Sequence, residues 1–185
     1  LPFVELPEPT SETHAWQTLS ELKIVNDRRQ LTPHGKQVVA LPCHPRFGHM
    51  LISAIEIAQN ESRPDIVFLA ALLASLLEEG DFYKGDKRRN DADIKHRIID
   101  LVSEGQRYPQ KNIVASARNL LKRLPHKQNR ATEFSGVLNI LEYCGILLLL
   151  AYPEWFGQQR KHGKSFLLAN GQGVEVNIDD PVFKD

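Results

Sequence analysis

The stretch from Ile66 to Glu79, IVFLAALLASLLEE, is apolar on almost every side of a helix. A surface helix needs only one apolar stripe, so a helix with no polar side must be surrounded. This segment therefore belongs at the centre of a helical bundle, and the other helices have to pack around it. Ser62 is placed to cap it, Pro64 to start it where a missing N–H costs nothing, and Gly80 to end it.

The surrounding segments follow the same rules. Leu31 to Ile52, LTPHGKQVVALPCHPRFGHMLI, reads as two helices joined at a corner. Thr32 is a good N-cap, and Pro33 suits the first helical position. Val38, Val39 and Leu41 give the short helix an apolar side. Pro42 blocks its continuation, and Pro45 opens a helix that runs to about Asn60. Upstream, Leu1 to Pro9 reads as extended. Thr10 or Ser11 can cap a helix reaching about Leu22, with Ala15, Trp16, Leu19 and Leu22 on one side. Ile24-Val25 and Leu31 flank a turn at Asn26-Asp27, a small hairpin with Arg28 and Arg29 at its tip.

Downstream, Asp81 to Asn90 is a charged loop. Asp91 caps a helix with Ile94, Ile98, Leu101 and Val102 at helical spacing, which Gly105 closes. Asn112 begins another, with Ile113, Ala117, Leu120, Leu121 and Leu124 inward and Pro125 barring continuation. A last long helix runs from Ala131 or Thr132 to Tyr152. Its run ILLLLAY is about half the ~20 residues a membrane span needs, so a buried core helix is expected. After Pro153 the pattern changes. SFLLA and VEVNI are short strands around Asn170-Gly171-Gln172-Gly173, a hairpin turn. One hairpin cannot bury its own face, so it begins a larger β region or packs on the bundle. The expected fold is mainly α, with a short C-terminal β-hairpin region.

Composition narrows the function classes. The chain has 185 residues, and its 42% apolar and 25% charged content is that of an ordinary globular protein. Lys+Arg and Asp+Glu are equal at 23 each, so any nucleic-acid surface must come from local segregation of charge. Cys43 and Cys144 form no CxxC pair, which suits a reducing cytoplasm better than a disulfide framework. The start at Leu1, with no signal-peptide pattern, reads as a piece cut from a longer protein.

Catalytic motifs are not apparent. His162-Gly163-Lys164-Ser165 invites a phosphate-loop reading, but Gly157 sits one residue too early and the segment leads into a strand rather than a helix. His14, His34, Cys43, His44 and His49 gather in the first third without paired zinc-ligand spacing, so no metal is expected. Asp179-Asp180 are loop residues at a turn. The informative signal is a basic ridge on the helix after Asn112. Lys111, Arg118 and Lys122 share the side away from its apolar stripe, with Arg123 beside them, and no acidic residue lies between Lys111 and Lys122. His126, Lys127 and Arg130 follow. Lys84, Lys87, Arg88 and Arg89 form a second basic patch, read as loop.

The elbow also resembles a known family. Leu31, Thr32, Pro33, Gly35, Lys36, Leu41, Pro42, Pro45, Arg46, Met50 and Leu51 fit an L-T-P-x-G-(R/K) … L-P-x-x-P-R/x … M-L pattern. It is similar to the region after the second RecA-like domain in DEAH-box and related RNA helicases. LLLAYPEWFGQQR and SFLLANGQGV resemble the HrpB-type bacterial members in particular. His34 departs from the pattern, as does His44, where the family usually carries an acidic residue. The resemblance covers nearly the whole chain and implies three parts. Residues 1–44 would be a partial winged helix, 45–156 a helical ratchet bundle, and 157–185 the start of a C-terminal β region.

It further implies an accessory region of an ATP-dependent RNA helicase. ATP and Mg²⁺ would be held by upstream RecA-like domains of the same chain, with no cofactor and no catalytic residue in this part. Lys111, Arg118, Lys122 and Arg123 would contact single-stranded RNA, or DNA, through phosphate and sugar. A stand-alone winged-helix regulator and a protein-interaction scaffold are the alternatives. The first would need a recognition helix before the hairpin, where only Gln17 and Lys23 are suitable.

Overall fold

The computed structural model describes residues 8–83, 91–103, 110–124, 137–161 and 163–175. Seven α-helices lie in these residues: α1 (Pro9–Glu21), α2 (Pro33–Val38), α3 (Pro45–Asn60), α4 (Asp65–Glu79), α5 (Ile94–Val102), α6 (Gln110–Arg123) and α7 (Tyr143–Ala151). A small antiparallel sheet follows, in the order β1 (Gly157–Gln159), β2 (Ser165–Leu168), β3 (Gly173–Glu175). The fold is mainly helical, and α4 is its axis. Every residue of α4 from Ile66 to Leu76 is buried. Helix α4 packs against α3 on one side, α6 on another and α7 on a third, as its lack of a polar side requires. None of the described helices is long and apolar enough to cross a membrane.

The elbow forms as expected and is closed by two glycines. Thr32 Oγ1 accepts from the Gly35 N–H at 2.8 Å and donates to Lys23 O at 2.7 Å, so one hydroxyl caps α2 and ties it to the preceding hairpin. A Cβ on Gly35 would stand 2.0 Å from Ile24 O, and one on Gly48 would stand 2.8 Å from Val38 Cγ1. At Gly35 backbone packs on backbone, and at Gly48 the Val38 side chain occupies the space a Cβ would need, so both positions favour glycine. His44 caps α3 through Nδ1, which accepts the Arg46 N–H. The hairpin before α2 reduces to one bridge, Val25 to Leu31, around the Asn26–Gln30 turn.

Several element edges differ from the sequence reading. Helix α1 begins at Pro9 with Glu8 before it, ahead of Thr10, because proline's fixed φ already suits the first turn. It buries none of its residues; Trp16 and Leu19 are half-buried and Ala15 is exposed. Val39 is exposed too, because α2 stops at Val38 before Pro42 can act. Ser62 does not cap α4. It sits at φ 53 and closes α3, where the Arg63 N–H reaches back to Ala58 O. Asp93, not Asp91, caps α5 by accepting the Lys95 N–H at 2.8 Å. Helix α6 starts at Gln110, two residues before Asn112.

The last apolar segment departs furthest. It is not one long buried helix up to Tyr152. A 3₁₀ turn at Leu138–Ile140 breaks it before α7. Helix α7 buries Cys144, Leu147 and Ala151 but leaves Ile146 and Leu149 exposed. The β region has a third strand, β1, whose Gly157-Gln158-Gln159 lacks any strand-forming residue and is held in place by pairing with Leu168, Leu167 and Phe166. The sites read at Gly105, Lys84, Lys87, Arg88, Arg89, His126, Lys127, Arg130, His162, Asp179 and Asp180 lie outside the described residues.

Candidate nucleic-acid interface

Helix α6 is amphipathic, and its polar side is basic. Ile113, Val114, Ala117, Leu120 and Leu121 are buried against the bundle, and Leu124 continues the stripe. Lys111, Arg118, Lys122 and Arg123 are all exposed. At 3.6 residues per turn the four do not form one row. Lys111, Arg118 and Lys122 fall within about 40° of one another, along roughly 16 Å of helix, while Arg123 lies about 100° further round. The two edges of the exposed face differ in charge. On the Arg123 side, the Ser116 hydroxyl donates to Glu79 Oε1 at 3.2 Å, and Glu78 and Glu79 line a cleft with Ser116 and Asn119. The other edge has no acidic residue on α6 itself. Three cations are thus aligned on one edge, and the fourth is turned toward the side of α6 on which Ser116 meets Glu79. Arg28 and Arg29 also separate: Arg29 lies over the Trp16 ring at 4.8 Å and faces Glu12, so it serves α1.

Three side-chain clusters hold the bundle's geometry, and none was apparent from spacing. Arg46, within the elbow, binds Glu154 at 2.6 Å, donates to Ala151 O at 2.8 Å and lies over the Tyr152 ring at 5.0 Å. It ties α3 to the end of α7. Arg97, only 7% exposed, forms a forked pair with Asp81 at 2.8 and 3.0 Å and covers the buried Tyr83 ring. Its hydrogen bonds hold the Asp81 carboxyl below the usual range, and Asp81 in turn raises the guanidinium. The start of the Asp81–Asn90 loop is therefore anchored.

The third cluster joins α2 to α3. His34 Nε2 and His49 Nδ1 meet at 2.7 Å with their rings edge to face. Burial lowers the pKa of both, and the charges of His34 and Lys23 help bring His49 down to about 4. A neutral pair can share one hydrogen bond; two imidazolium ions cannot. His14 and His44 stand apart from this pair, and among the described residues no three metal-ligating side chains converge. Burial pushes the thiols of Cys43 and Cys144 up to about 12, so both are unreactive at neutral pH.

No family model matches the sequence, and no curated protein matches it significantly. Solved structures do. The E. coli DExH-box NTPase HrpB superposes on 98% of this chain with a TM-score of 0.68 at 22% identity. A second structure, of the Escherichia coli DEAH/RHA helicase HrpB, covers the same 98% with a TM-score of 0.66 at 24% identity. The chain has the fold of a segment of HrpB. It spans 19% of the length of each HrpB chain.

HrpB is described as an NTPase, which raises the question of whether residues here fit a nucleotide phosphate. A phosphate loop presents backbone N–H groups at a strand-to-helix turn. Gly163-Lys164-Ser165 instead closes the hairpin between β1 and β2, where the Arg160 N–H donates to Ser165 O at 2.8 Å. Strand β2, not a helix, follows it directly, and the site does not fit.

Proposed function

We propose that this chain is the accessory region of an HrpB-like, NTP-dependent RNA helicase. In this reading residues 1–44 form part of a winged helix, 45–156 a ratchet bundle and 157–185 the start of a β region. Upstream RecA-like domains bind ATP and Mg²⁺ and hydrolyse the nucleotide. The bundle turns their opening and closing into movement of a single strand. The observation that supports the reading is the likeness in fold of 98% of the chain to HrpB, with a TM-score of 0.68.

The strand lies along Lys111, Arg118 and Lys122. Three aligned cations without a carboxylate between them favour phosphate contacts, which hold a strand without reading its bases. Arg123 contributes less, because Glu79 and Glu78 lie on its side of the helix. Amide-rich base readout is absent from this edge, so affinity is modest and indifferent to sequence. RNA rather than DNA is the expected substrate, and the cytoplasm the expected compartment.

Anisotropy of a labelled single-stranded RNA, measured with the purified chain at low salt, tests the binding. Weak binding of several unrelated sequences is expected, with no NTP hydrolysis. NTPase activity that survives repurification, or no binding of any strand, would overturn the assignment.

A further inference from the structure

The end of helix α4 runs against its own electrostatics. A helix C-terminus carries partial negative charge and favours cations. Helix α4 ends in Glu78 and Glu79 and has no basic residue in its last turn. Both carboxylates line a cleft of about 270 Å³ between α4 and α6, with Ser75 one turn back on α4 and Ser116 and Asn119 opposite on α6. Glu78 accepts the His44 N–H at 2.6 Å, and Glu79 Oε1 accepts the Ser116 hydroxyl at 3.2 Å. A hydroxyl bound to a carboxylate normally closes to about 2.5–2.7 Å, so the second contact is slack. Among the described residues neither carboxylate forms an ion pair. Arg123 stands about 10 Å further along α6 than Ser116.

Ser75 is the second irregularity in the same place. It is 1% exposed, and among the described residues its hydroxyl is the one buried side-chain polar group without a hydrogen-bond partner. A serine inside a helix ordinarily returns its hydroxyl to the carbonyl four residues back, and an unmet buried hydroxyl is costly. Because Ser75 lines the cleft, the unmet oxygen and the unbalanced carboxylates call for the same partner.

We propose that this cleft binds a hard divalent cation, Mg²⁺ or Ca²⁺, which ties α4 to α6. Its donors are the carboxylates of Glu78 and Glu79, the hydroxyls of Ser75 and Ser116, and the amide oxygen of Asn119. Only two of the five are carboxylates and none is nitrogen or sulfur, a set that suits Mg²⁺ or Ca²⁺ and not zinc. Two oxygens bound to one Ca²⁺ at 2.3–2.6 Å sit roughly 3–3.5 Å apart, so the slack Ser116–Glu79 spacing already matches neighbouring ligands. A lysine ammonium offers three donors and would leave part of the set unmet, whereas a cation with water in its remaining positions satisfies all five. The bound charge also neutralises the negative end of α4 and fixes α6, the helix that carries the basic edge, from its opposite side. The proposal does not depend on the helicase reading.

Calorimetric titration of the chelator-treated chain with CaCl₂ and, separately, MgCl₂ at constant ionic strength tests the binding and ranks the two ions. One ion per chain is expected, with Kd on the order of 10⁻⁴–10⁻³ M, and a melting temperature that rises with the divalent ion but not with NaCl of equal ionic strength. Glu78→Gln with Glu79→Gln keeps an acceptor for His44 and for Ser116 and should abolish both signals. Ser75→Ala should raise the melting temperature of the metal-free chain, because the unmet hydroxyl is gone, and weaken the ion several-fold. No saturable heat with either ion would overturn the proposal, as would a rise that NaCl matches. Full binding by the double glutamine variant or by Ser75→Ala would overturn it too. Stabilisation by n-butylammonium, with neither metal bound, would overturn it in favour of a lysine side chain from another polypeptide.

Discussion

Helices α4 and α7 are written in nearly the same letters. One carries IVFLAALLASL, the other ILLLLA. Helix α4 is buried from Ile66 to Leu76 on every side, whereas α7 buries Cys144, Leu147 and Ala151 and shows Ile146 and Leu149 to solvent. Hydrophobicity states a demand for burial, and only the number of neighbours decides whether this chain meets it. Helix α4 packs against α3, α6, α7 and the 3₁₀ turn at Leu138–Ile140; α7 packs against α3, α4 and the turn at Pro153–Trp155. Helix α7 keeps one apolar face on the surface, continuous in sequence with the exposed Trp155 and Phe156.

The contrast can be broken by identical substitutions at the two helices. Leu69→Ala, at a fully buried position, should cost about 2–5 kcal/mol in urea unfolding, while Leu149→Ala should cost less than about 1 kcal/mol. Similar losses at both would mean that α7 is as enclosed as α4. Glycines give a second pair. Gly35→Ala drives a methyl against Ile24 O and should destabilise by roughly 1–3 kcal/mol or more. Gly145→Ala meets nothing within 4 Å on α7 and should stabilise by about 0.5–1 kcal/mol through helix propensity, read as a rise in melting temperature.

Acid sharpens the same division from the elbow side. His49 falls from an ordinary 6.5 to about 4 because it is partly buried and faces His34 and Lys23. The folded state therefore prefers the neutral ring. Its contribution is complete above about pH 6.5 and is lost as pH falls towards 4, on the order of 1–2 kcal/mol after allowance for partial exposure. Stability measured across that window should lose this component in His49→Gln. A variant whose pH profile parallels the parent's would show that the 2.7 Å contact carries no linkage.

Much of the interior was legible in the sequence for local reasons. Thr32 and Pro33, Pro45, Gly80 and the stripe of α6 act within one or two turns, so neighbouring letters suffice. What was hidden depends on distant partners. Arg97 is buried because Asp81 comes to meet it, and His34 finds His49 only through the glycine-locked elbow. Strand β1 exists because β2 offers it an edge, not because Gly157-Gln158-Gln159 favours extension. On α6 the four cations were legible as a group. Their division, with Arg123 turned toward the side of α6 where Ser116 meets Glu79, required the helix and its neighbour together.

The basic edge is best tested through salt. Binding of a single-stranded RNA should weaken linearly in log–log form as salt rises, with each phosphate contact contributing a slope of about −0.7. Replacing Lys111, Arg118 and Lys122 together with Ala should flatten that slope by roughly 2, and Arg123→Ala alone should change it by well under 1. A triple variant that binds more weakly along a flattened line is the predicted result. A slope identical to that of the parent would contradict the account, because the strand would then run elsewhere.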